Sequence, residues 1–166
     1  MSLLPAAGIN PYVIESGKRH YLIGNEISTQ RWSGFTGGYE HRDKDVETTA
    51  VRELIEESCN VFLPWKDFFN TNLYNSQIST LIKSKTPRGR ELFAWFIEIP
   101  LDIKYKNLEH EFQKNRRKIF DAHYLEKHSI KWVAEDVIFE ENLSRGFRKD
   151  LNTFLNLKNV QQRGKH

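Results

Sequence analysis

The sequence predicts an α+β domain in which a few helices flank a mixed β-sheet. Segments with the alternation or aromatic content of β-strands are spread along the chain, and three other segments have helical periodicity. Strands and helices that each have one apolar face bury those faces in layers, so this mixture favours a sandwich. A chain of 166 residues has the length of one domain. We therefore expect a single domain over residues 1–166.

Five segments have the composition of β-strands. They are rich in β-branched and aromatic residues, or they alternate apolar with polar positions as half-buried strands do. These segments are 11–15, 20–24, 77–83, 92–99 and 130–133. In the fourth segment, the alternation already accounts for most of the aromatic side chains as core residues.

Three segments have apolar residues at helical spacing. The clearest runs from about residue 45 to 58, a weak one runs from 108 to 120, and the last runs from 144 to 157. Four residues of the last segment share one face and form an apolar stripe. They are Phe147, Leu151, Phe154 and Leu155.

The first predicted helix carries a cluster of carboxylates. Residues three and four apart on a helix are neighbours, so Glu53 lies beside Glu56 and Glu57, on a side that we expect to face solvent. Like charges at this spacing repel, and a hard cation such as Mg²⁺ or Mn²⁺ would neutralise them. Arg52 would orient these carboxylates through hydrogen bonds. The simpler interpretation is a charged, solvated helix face.

The residues before this helix favour the metal-site interpretation. An aromatic run at 32–36 is followed by the glycine pair at 37–38 and then by a short polar loop at 41–43. Asp43 or Asp45 can cap the first turn of the helix. We interpret these parts as one unit that consists of a strand, a Gly-Gly loop and an acidic helix.

The segment from Gly38 to Val61 resembles the signature of the Nudix hydrolases. That signature consists of Gly, five residues, Glu, seven residues and then Arg-Glu-apolar-x-Glu-Glu-x-Gly-apolar. Gly38 and residues 52–57 match it, whereas Lys44 replaces the first Glu and Cys59 replaces the second Gly.

Neither departure alters the carboxylate turn. Asparagine tolerates the left-handed conformation at a helix end, so Asn60 allows the end of the helix to shift by one residue. Lys44 reverses a charge near the expected metal face. Either Asp43 or Asp45 takes over from the missing glutamate, or Lys44 reaches toward a substrate phosphate.

The resemblance implies an α/β/α sandwich with a mixed sheet and a hydrolase that depends on Mg²⁺ or Mn²⁺. It implies that Glu56 and Glu57 are the principal metal ligands and that Glu53 is an additional ligand or a base. A carbonyl of Gly37 or Gly38 would be a further ligand, since the backbone of glycine can be approached closely.

The resemblance also implies a base or ligand from a loop shortly before the last core strand. Glu126 is the best-placed residue for this role, because it precedes the strand expected at 130–133. Glu109, Glu111 and Glu135 are weaker candidates, and each has the simpler interpretation of a solvated carboxylate.

Aromatic and basic residues provide candidates for substrate binding. Phe35 and Tyr39 flank the glycine pair and could stack on a nucleobase. Two basic clusters could bind polyphosphate or an RNA backbone, or could belong to ordinary solvated surfaces. The clusters are Lys83, Lys85, Arg88 and Arg90, and Lys114, Arg116, Arg117 and Lys118.

Three functional hypotheses follow. The first is a pyrophosphohydrolase that cleaves the diphosphate of a nucleoside diphosphate-linked compound by attack of water on phosphorus. The second is a hydrolase of capped RNA or of a diphosphoinositol polyphosphate, which the basic clusters favour. The third is a Nudix fold that binds a nucleotide or a protein partner without efficient catalysis, which Lys44 and Cys59 favour.

The composition suggests a cytoplasmic protein. One cysteine excludes an internal disulfide framework and fits a reducing compartment. No apolar run approaches 20 residues and no leader pattern is present, so we expect neither a membrane span nor secretion. The polar residues 161–166 are expected to fray.

Overall fold

A computed structural model describes residues 3–163. Seven strands form one sheet: β1 (Ala6–Glu15), β2 (Lys18–Glu26), β3 (Trp32–Ser33), β4 (Phe35–Gly38), β5 (Ser79–Lys85), β6 (Glu91–Glu98) and β7 (Lys127–Ala134). Four α-helices accompany them: α1 (Val46–Glu57), α2 (Lys66–Asn72), α3 (Leu108–Arg116) and α4 (Arg145–Arg163).

The sheet is mixed, as expected. Its main path runs β3-β2-β1-β6-β5, and β1 and β6 are parallel while the other pairs are antiparallel. Strand β1 is long enough to pair along one edge with two partners, first with β4 and then with β2. Strand β7 lies on the other edge of β2. This arrangement brings β4 and β7 to the same region as α1.

Alternating side chains of the sheet enter two separate cores. Ile9, Trp95 and Ile97 pack in the core that also contains the apolar face of α1. Tyr12 and Phe96 point to the opposite face, where they meet the apolar stripe of α4. Helices therefore cover both faces of the sheet, and the expected α/β/α sandwich is confirmed.

The five expected strands and three expected helices are all present, but several bounds differ. Strand β1 begins at Ala6, five residues before the expected start. Its first half contains alanine and glycine, which have low strand propensity, and it forms a strand because it is buried between β4 and β6. Helix α3 ends at Arg116 rather than at residue 120. Helix α2 was not expected.

The glycine pair and the chain end also differ from expectation. Gly37 and Gly38 end strand β4 and pair with Ala7 and Ala6, so the expected Gly-Gly loop is wrong. Of the tail at 161–166, residues 161–163 belong to α4, and the remainder lies outside the described residues.

Among the described residues, no helix has the length and apolar character needed to cross a membrane.

Candidate active site

Asp45 fixes the start of α1. Its Oδ1 accepts hydrogen bonds from the backbone nitrogen of Thr48 at 2.8 Å and from Thr48 Oγ1 at 2.7 Å. The expectation that Asp45 can cap the helix is confirmed. Beyond this cap, Ala50 and Leu54 are buried against the sheet, which sets the direction in which the carboxylates point.

The three glutamates of α1 are buried. Glu53, Glu56 and Glu57 are only 8%, 5% and 4% exposed. The expectation of a solvent-facing side is therefore wrong. The physical reason is that β4, the loop after it and the side chain of Lys127 close over this side of the helix. The helical periodicity of α1 cannot show this.

Arg52 links the loop, strand β4 and the helix. It donates hydrogen bonds to both oxygens of Asp43, at 3.0 and 2.9 Å, and to the carbonyl oxygen of Gly38 at 2.8 Å. Its other terminal nitrogen donates to Glu53 Oε1 and Glu56 Oε2, each at 3.1 Å. Arg52 therefore holds two of the carboxylates in fixed orientations.

Asp43 is a counter-charge of Arg52. Burial alone would raise the pKa of the Asp43 carboxyl, but hydrogen bonds from Arg52 and from the loop hold it below its ordinary value. Lys44 is exposed and lines a cleft of about 890 Å³ that also contains Arg42 and Lys66.

Glu56 is engaged by two arginines. Its Oε1 accepts a hydrogen bond from Arg42 at 3.1 Å, while its Oε2 accepts the bond from Arg52. Each carboxylate oxygen keeps a second lone pair, so these bonds do not preclude metal ligation. The role of Glu56 as a principal ligand stays a prediction.

Glu53 lies directly against Gly37. A Cβ atom at position 37 would lie 2.1 Å from Cδ and 2.3 Å from both carboxylate oxygens of Glu53. Glycine is therefore required for this approach. Burial raises the pKa of Glu53 to about 7; Arg52 opposes the rise, and the carboxylates of Glu56 and Glu126 add to it.

Glu57 is the most deeply placed carboxylate. Its Oε2 is buried and accepts no hydrogen bond, and it lies 3.8 Å from Nζ of Lys127. Burial holds the pKa of Glu57 well above its ordinary value despite Lys127, and the charges of Glu53 and Glu126 act in the same direction. The ionised form of Glu57 is therefore disfavoured in this environment, and a further cation beside it would favour that form.

A cleft of about 630 Å³ opens beside Glu57. Its lining comes from the end of β2, from β4 and from the segment before β7. Glu126, the expected distal base, is exposed at this cleft, and its charge acts on both Glu53 and Glu57. The weaker candidates lie elsewhere: Glu135 is bonded to Arg19 and Tyr21, and Glu109 and Glu111 are exposed on α3.

The donors at this cleft fit a hard divalent cation. No group of three or more His, Cys, Asp or Glu side chains in residues 3–163 is arranged to hold a metal ion as the side chains stand. The buried Glu57 Oε2 nevertheless lacks a donor, and Glu53 and Glu126 offer further carboxylate oxygens, which Mg²⁺ and Mn²⁺ prefer. The Gly38 carbonyl oxygen accepts from Arg52 and keeps a second lone pair, so a ligand role for the carbonyl of Gly37 or Gly38 stays a prediction.

The residues expected to bind substrate are in varied positions. Phe35 is completely buried, so its expected stacking on a nucleobase is wrong: strand alternation turns the ring into the core. Tyr39 is half-buried beside the glycine pair, and Arg88 is exposed in the turn between β5 and β6. Arg90 donates to the carbonyl oxygen of Leu4 at 2.7 Å and therefore holds the N-terminal segment.

The two basic clusters lie outside the clefts. Among the described residues, neither cleft is lined by a member of either cluster. Arg116 donates to the carbonyl oxygen of Lys127 at 3.0 Å, which ties α3 to the start of β7. Arg117 and Lys118 are exposed.

The chain leaves α1 through two residues in the left-handed conformation. Cys59 and Asn60 have φ values of 51° and 64°. The expectation for Asn60 is confirmed, but Cys59 adopts this conformation as well. Its side chain is buried, and its Sγ donates to the carbonyl oxygen of Tyr124 at 3.1 Å, which favours the strained backbone.

Lys127 is the residue of the site that sequence reasoning missed. It is only 1% exposed and its ammonium group lies among the site's carboxylates. The only signal in the sequence was its position next to Glu126, because a lysine at the start of a strand is ordinarily solvated.

Comparison with known proteins identifies the fold. No protein-family model matches the chain, and no curated protein matches it. The NUDIX domain of Shewanella oneidensis NrtR, in a cocrystal with ADP ribose, is similar with a TM-score of 0.57 at 12% identity, covering 97% of this chain and 90% of that domain. A mutT/nudix family protein from Listeria innocua has a TM-score of 0.55 at 16% identity, with 98% and 97% coverage.

A third solved structure has the same fold. A NUDIX hydrolase described as putative in Listeria monocytogenes has a TM-score of 0.53 at 15% identity and covers 95% of this chain and 97% of that chain. The chain therefore has the Nudix fold, as the resemblance of its glutamate motif implied.

Proposed function

We propose that the protein is a metal-dependent pyrophosphohydrolase that cleaves a diphosphate linkage in a nucleoside diphosphate-linked compound. The observation that carries this proposal is that Glu57 and Glu126 line one cleft, with the charge of Glu53 acting on Glu57 from behind it, and that a buried oxygen of Glu57 has no hydrogen-bond donor. A divalent cation would satisfy that oxygen and would bring a polyphosphate to the same place.

Residues of the chain have separate roles in this reaction. When bound, Mg²⁺ or Mn²⁺ would polarise the phosphate oxygens and lower the pKa of an attacking water. Arg52 keeps Glu53 and Glu56 in place through its hydrogen bonds. Glu126, exposed at the cleft, would take the proton of that water, and Glu53, with a pKa of about 7, would be the alternative base.

The size of the cleft supports a small nucleotide-type substrate. Its volume of about 630 Å³ lies within the range of roughly 300 to 1,000 Å³ typical of small-molecule sites. The similar NrtR domain was crystallised with ADP ribose, which contains a diphosphate between two ribose groups. Tyr39 and Arg88 do not line this cleft, so they are proposed as contacts for parts of the substrate that extend beyond it, Tyr39 for a base and Arg88 for a phosphate.

A large anionic substrate, such as capped RNA or a diphosphoinositol polyphosphate, is the alternative within the same chemistry. The exposed residues Arg117 and Lys118 support it, since they lie a few residues before Ala122 and Leu125 of the cleft. Binding through such a surface would weaken steeply with salt, whereas binding inside the cleft would weaken less.

Binding without efficient catalysis is a second candidate function. The buried ammonium of Lys127 next to Glu57 favours it, because an internal cation already neutralises part of the charge that a metal ion would neutralise.

The test measures both binding and turnover. Phosphate-product release is followed with Mg²⁺ or Mn²⁺ for ADP-ribose, diadenosine polyphosphates, nucleoside triphosphates, capped RNA and diphosphoinositol phosphates, and calorimetry measures binding of each. We expect turnover of one class, and its loss in Glu57→Gln. Glu140→Gln is the matched control, because Glu140 is exposed in the turn that packs toward α4.

Two results would contradict the proposal. Unchanged turnover in Glu57→Gln would show that Glu57 is not part of the active site. Tight binding of one compound without turnover under either metal would instead support the binding function.

A further inference from the structure

The side chain of Lys127 passes through the interior of the protein to the carboxylates of the site. Lys127 begins β7 and pairs with Glu26 of β2. Its Nζ donates a hydrogen bond to Ser33 Oγ at 2.8 Å, and it lies 3.8 Å from Glu57 Oε2 and 3.9 Å from Glu26 Oε1. The ring of Phe35 lies 5.6 Å from the same nitrogen.

Gly24 makes this path possible. A Cβ atom at position 24 would lie 2.1 Å from Cδ and 2.8 Å from Cε of Lys127. An alanine there would therefore displace the lysine stem. The close approach shows that β2 and β7 are built to accommodate a lysine side chain between the sheet and α1.

A lysine is almost never buried unless an opposite charge compensates it. Here the ammonium donates to one hydroxyl group and meets two carboxylates just outside hydrogen-bond distance. A divalent cation bound to Glu57 would experience repulsion from the ammonium across a short distance and in poorly screened surroundings. The ammonium and a metal ion therefore compete for the same carboxylate.

We propose that Lys127 is an internal cation that neutralises Glu57 in the metal-free protein and weakens divalent-metal binding at that carboxylate. Lys127 is thus a positioning residue: it keeps the acidic site folded without metal and sets the metal concentration that the site requires. This inference rests on one part of the proposed function, the binding of a metal ion at Glu57, and does not require hydrolysis of a substrate.

The test uses metal binding and thermal unfolding, and neither readout depends on turnover. We compare the wild-type chain with Lys127→Met, with Lys127→Arg and with the double variant Lys127→Met/Glu57→Gln. Mn²⁺ binding is measured by electron paramagnetic resonance, and the melting temperature is measured in EDTA and in Mn²⁺.

We expect Lys127→Met to lower the melting temperature in EDTA, because Glu57 loses its compensating charge. It should bind Mn²⁺ at least about tenfold more tightly than the wild type, since the competing charge is gone. Its melting temperature should rise more on addition of Mn²⁺. The double variant should recover much of the stability in EDTA, and Lys127→Arg should remain close to the wild type in both readouts.

Gly24→Ala keeps the test decisive if Lys127→Met does not fold. Its added methyl group displaces the lysine stem without removing the ammonium, so we expect a smaller change in the same direction. Equal or weaker Mn²⁺ binding in both variants, or no Mn²⁺ binding in any variant, would overturn the inference. Tighter Mn²⁺ binding without hydrolysis of any compound would support the inference while contradicting the proposed function.

Discussion

Arg52 and Asp43 form a two-bond pair in which Nε donates to Oδ1 at 3.0 Å and a terminal nitrogen donates to Oδ2 at 2.9 Å. Asp43 lies in the loop after β4 and Arg52 lies in helix α1. The pair therefore joins this loop to the helix that carries the three glutamates. Because Asp43 is almost completely buried, the pair is protected from solvent.

Asp43→Asn should destabilise the protein by about 2 to 4 kcal/mol, because it removes the buried charge that accepts two hydrogen bonds from Arg52 and puts an amide donor against the guanidinium. Urea unfolding in EDTA measures the change. Asp136→Asn is the matched control: Asp136 pairs with Lys18 at 2.8 Å, but both side chains are more than half exposed. That variant should lose less than about 1 kcal/mol. Equal losses in the two variants would refute the structural role of the Asp43 pair.

Gly37→Ala should displace Glu53 from the site, because the new methyl group would lie 2.1 Å from Cδ of the Glu53 carboxyl group. We expect Mn²⁺ affinity and turnover to fall by at least about tenfold, the size expected when a ligand is misplaced. Gly146→Ala is the control, since apart from its own helix backbone and chain neighbours no atom lies within 4 Å of the added methyl group. Normal Mn²⁺ binding by Gly37→Ala would show that Glu53 is not a ligand.

Asp150 should make stability depend on pH. Burial raises the pKa of this carboxyl from its ordinary value of 3.8 to about 6. Between these two values the folded protein binds more protons than the unfolded chain, so the free energy of unfolding falls as pH rises from about 4 to about 6. The contribution is at most about 3 kcal/mol.

Asp150→Asn should remove this dependence, since the amide does not ionise. Unfolding free energies at several pH values between about 4 and 7 test it, with the exposed Asp67→Asn as control. A pH profile of Asp150→Asn that is identical to that of the wild type would rule out the titration of Asp150 as the cause.

Arg88 and Arg90 should have separable roles. Arg90→Gln removes the bond to the Leu4 carbonyl oxygen, so we expect a loss of about 1 to 2 kcal/mol of stability. Arg88→Gln should leave stability within about 0.5 kcal/mol, because Arg88 is exposed. If Arg88 contacts substrate phosphate, KM should rise severalfold while kcat changes little. An unchanged KM for every substrate would exclude that contact.

The apolar periodicity was sufficient for most of the fold. Strands β2, β5, β6 and β7 and helix α4 alternate or repeat clearly, because each has one face in a core. The first half of β1 could not be found this way, since its low-propensity residues are strands only through their pairing with β4 and β6.

The sequence by itself determined the α+β class, the amphipathic helices and the glutamate turn, because these depend on spacing along one element. Only the tertiary structure decided that Glu57 is buried, that Phe35 belongs to the core and that the ammonium of Lys127 lies beside Glu57. Such relationships depend on contacts between residues distant in the chain. Burial and compensating charge arise from the packing of β4 and of the Lys127 side chain against α1, and no local pattern in the sequence encodes them.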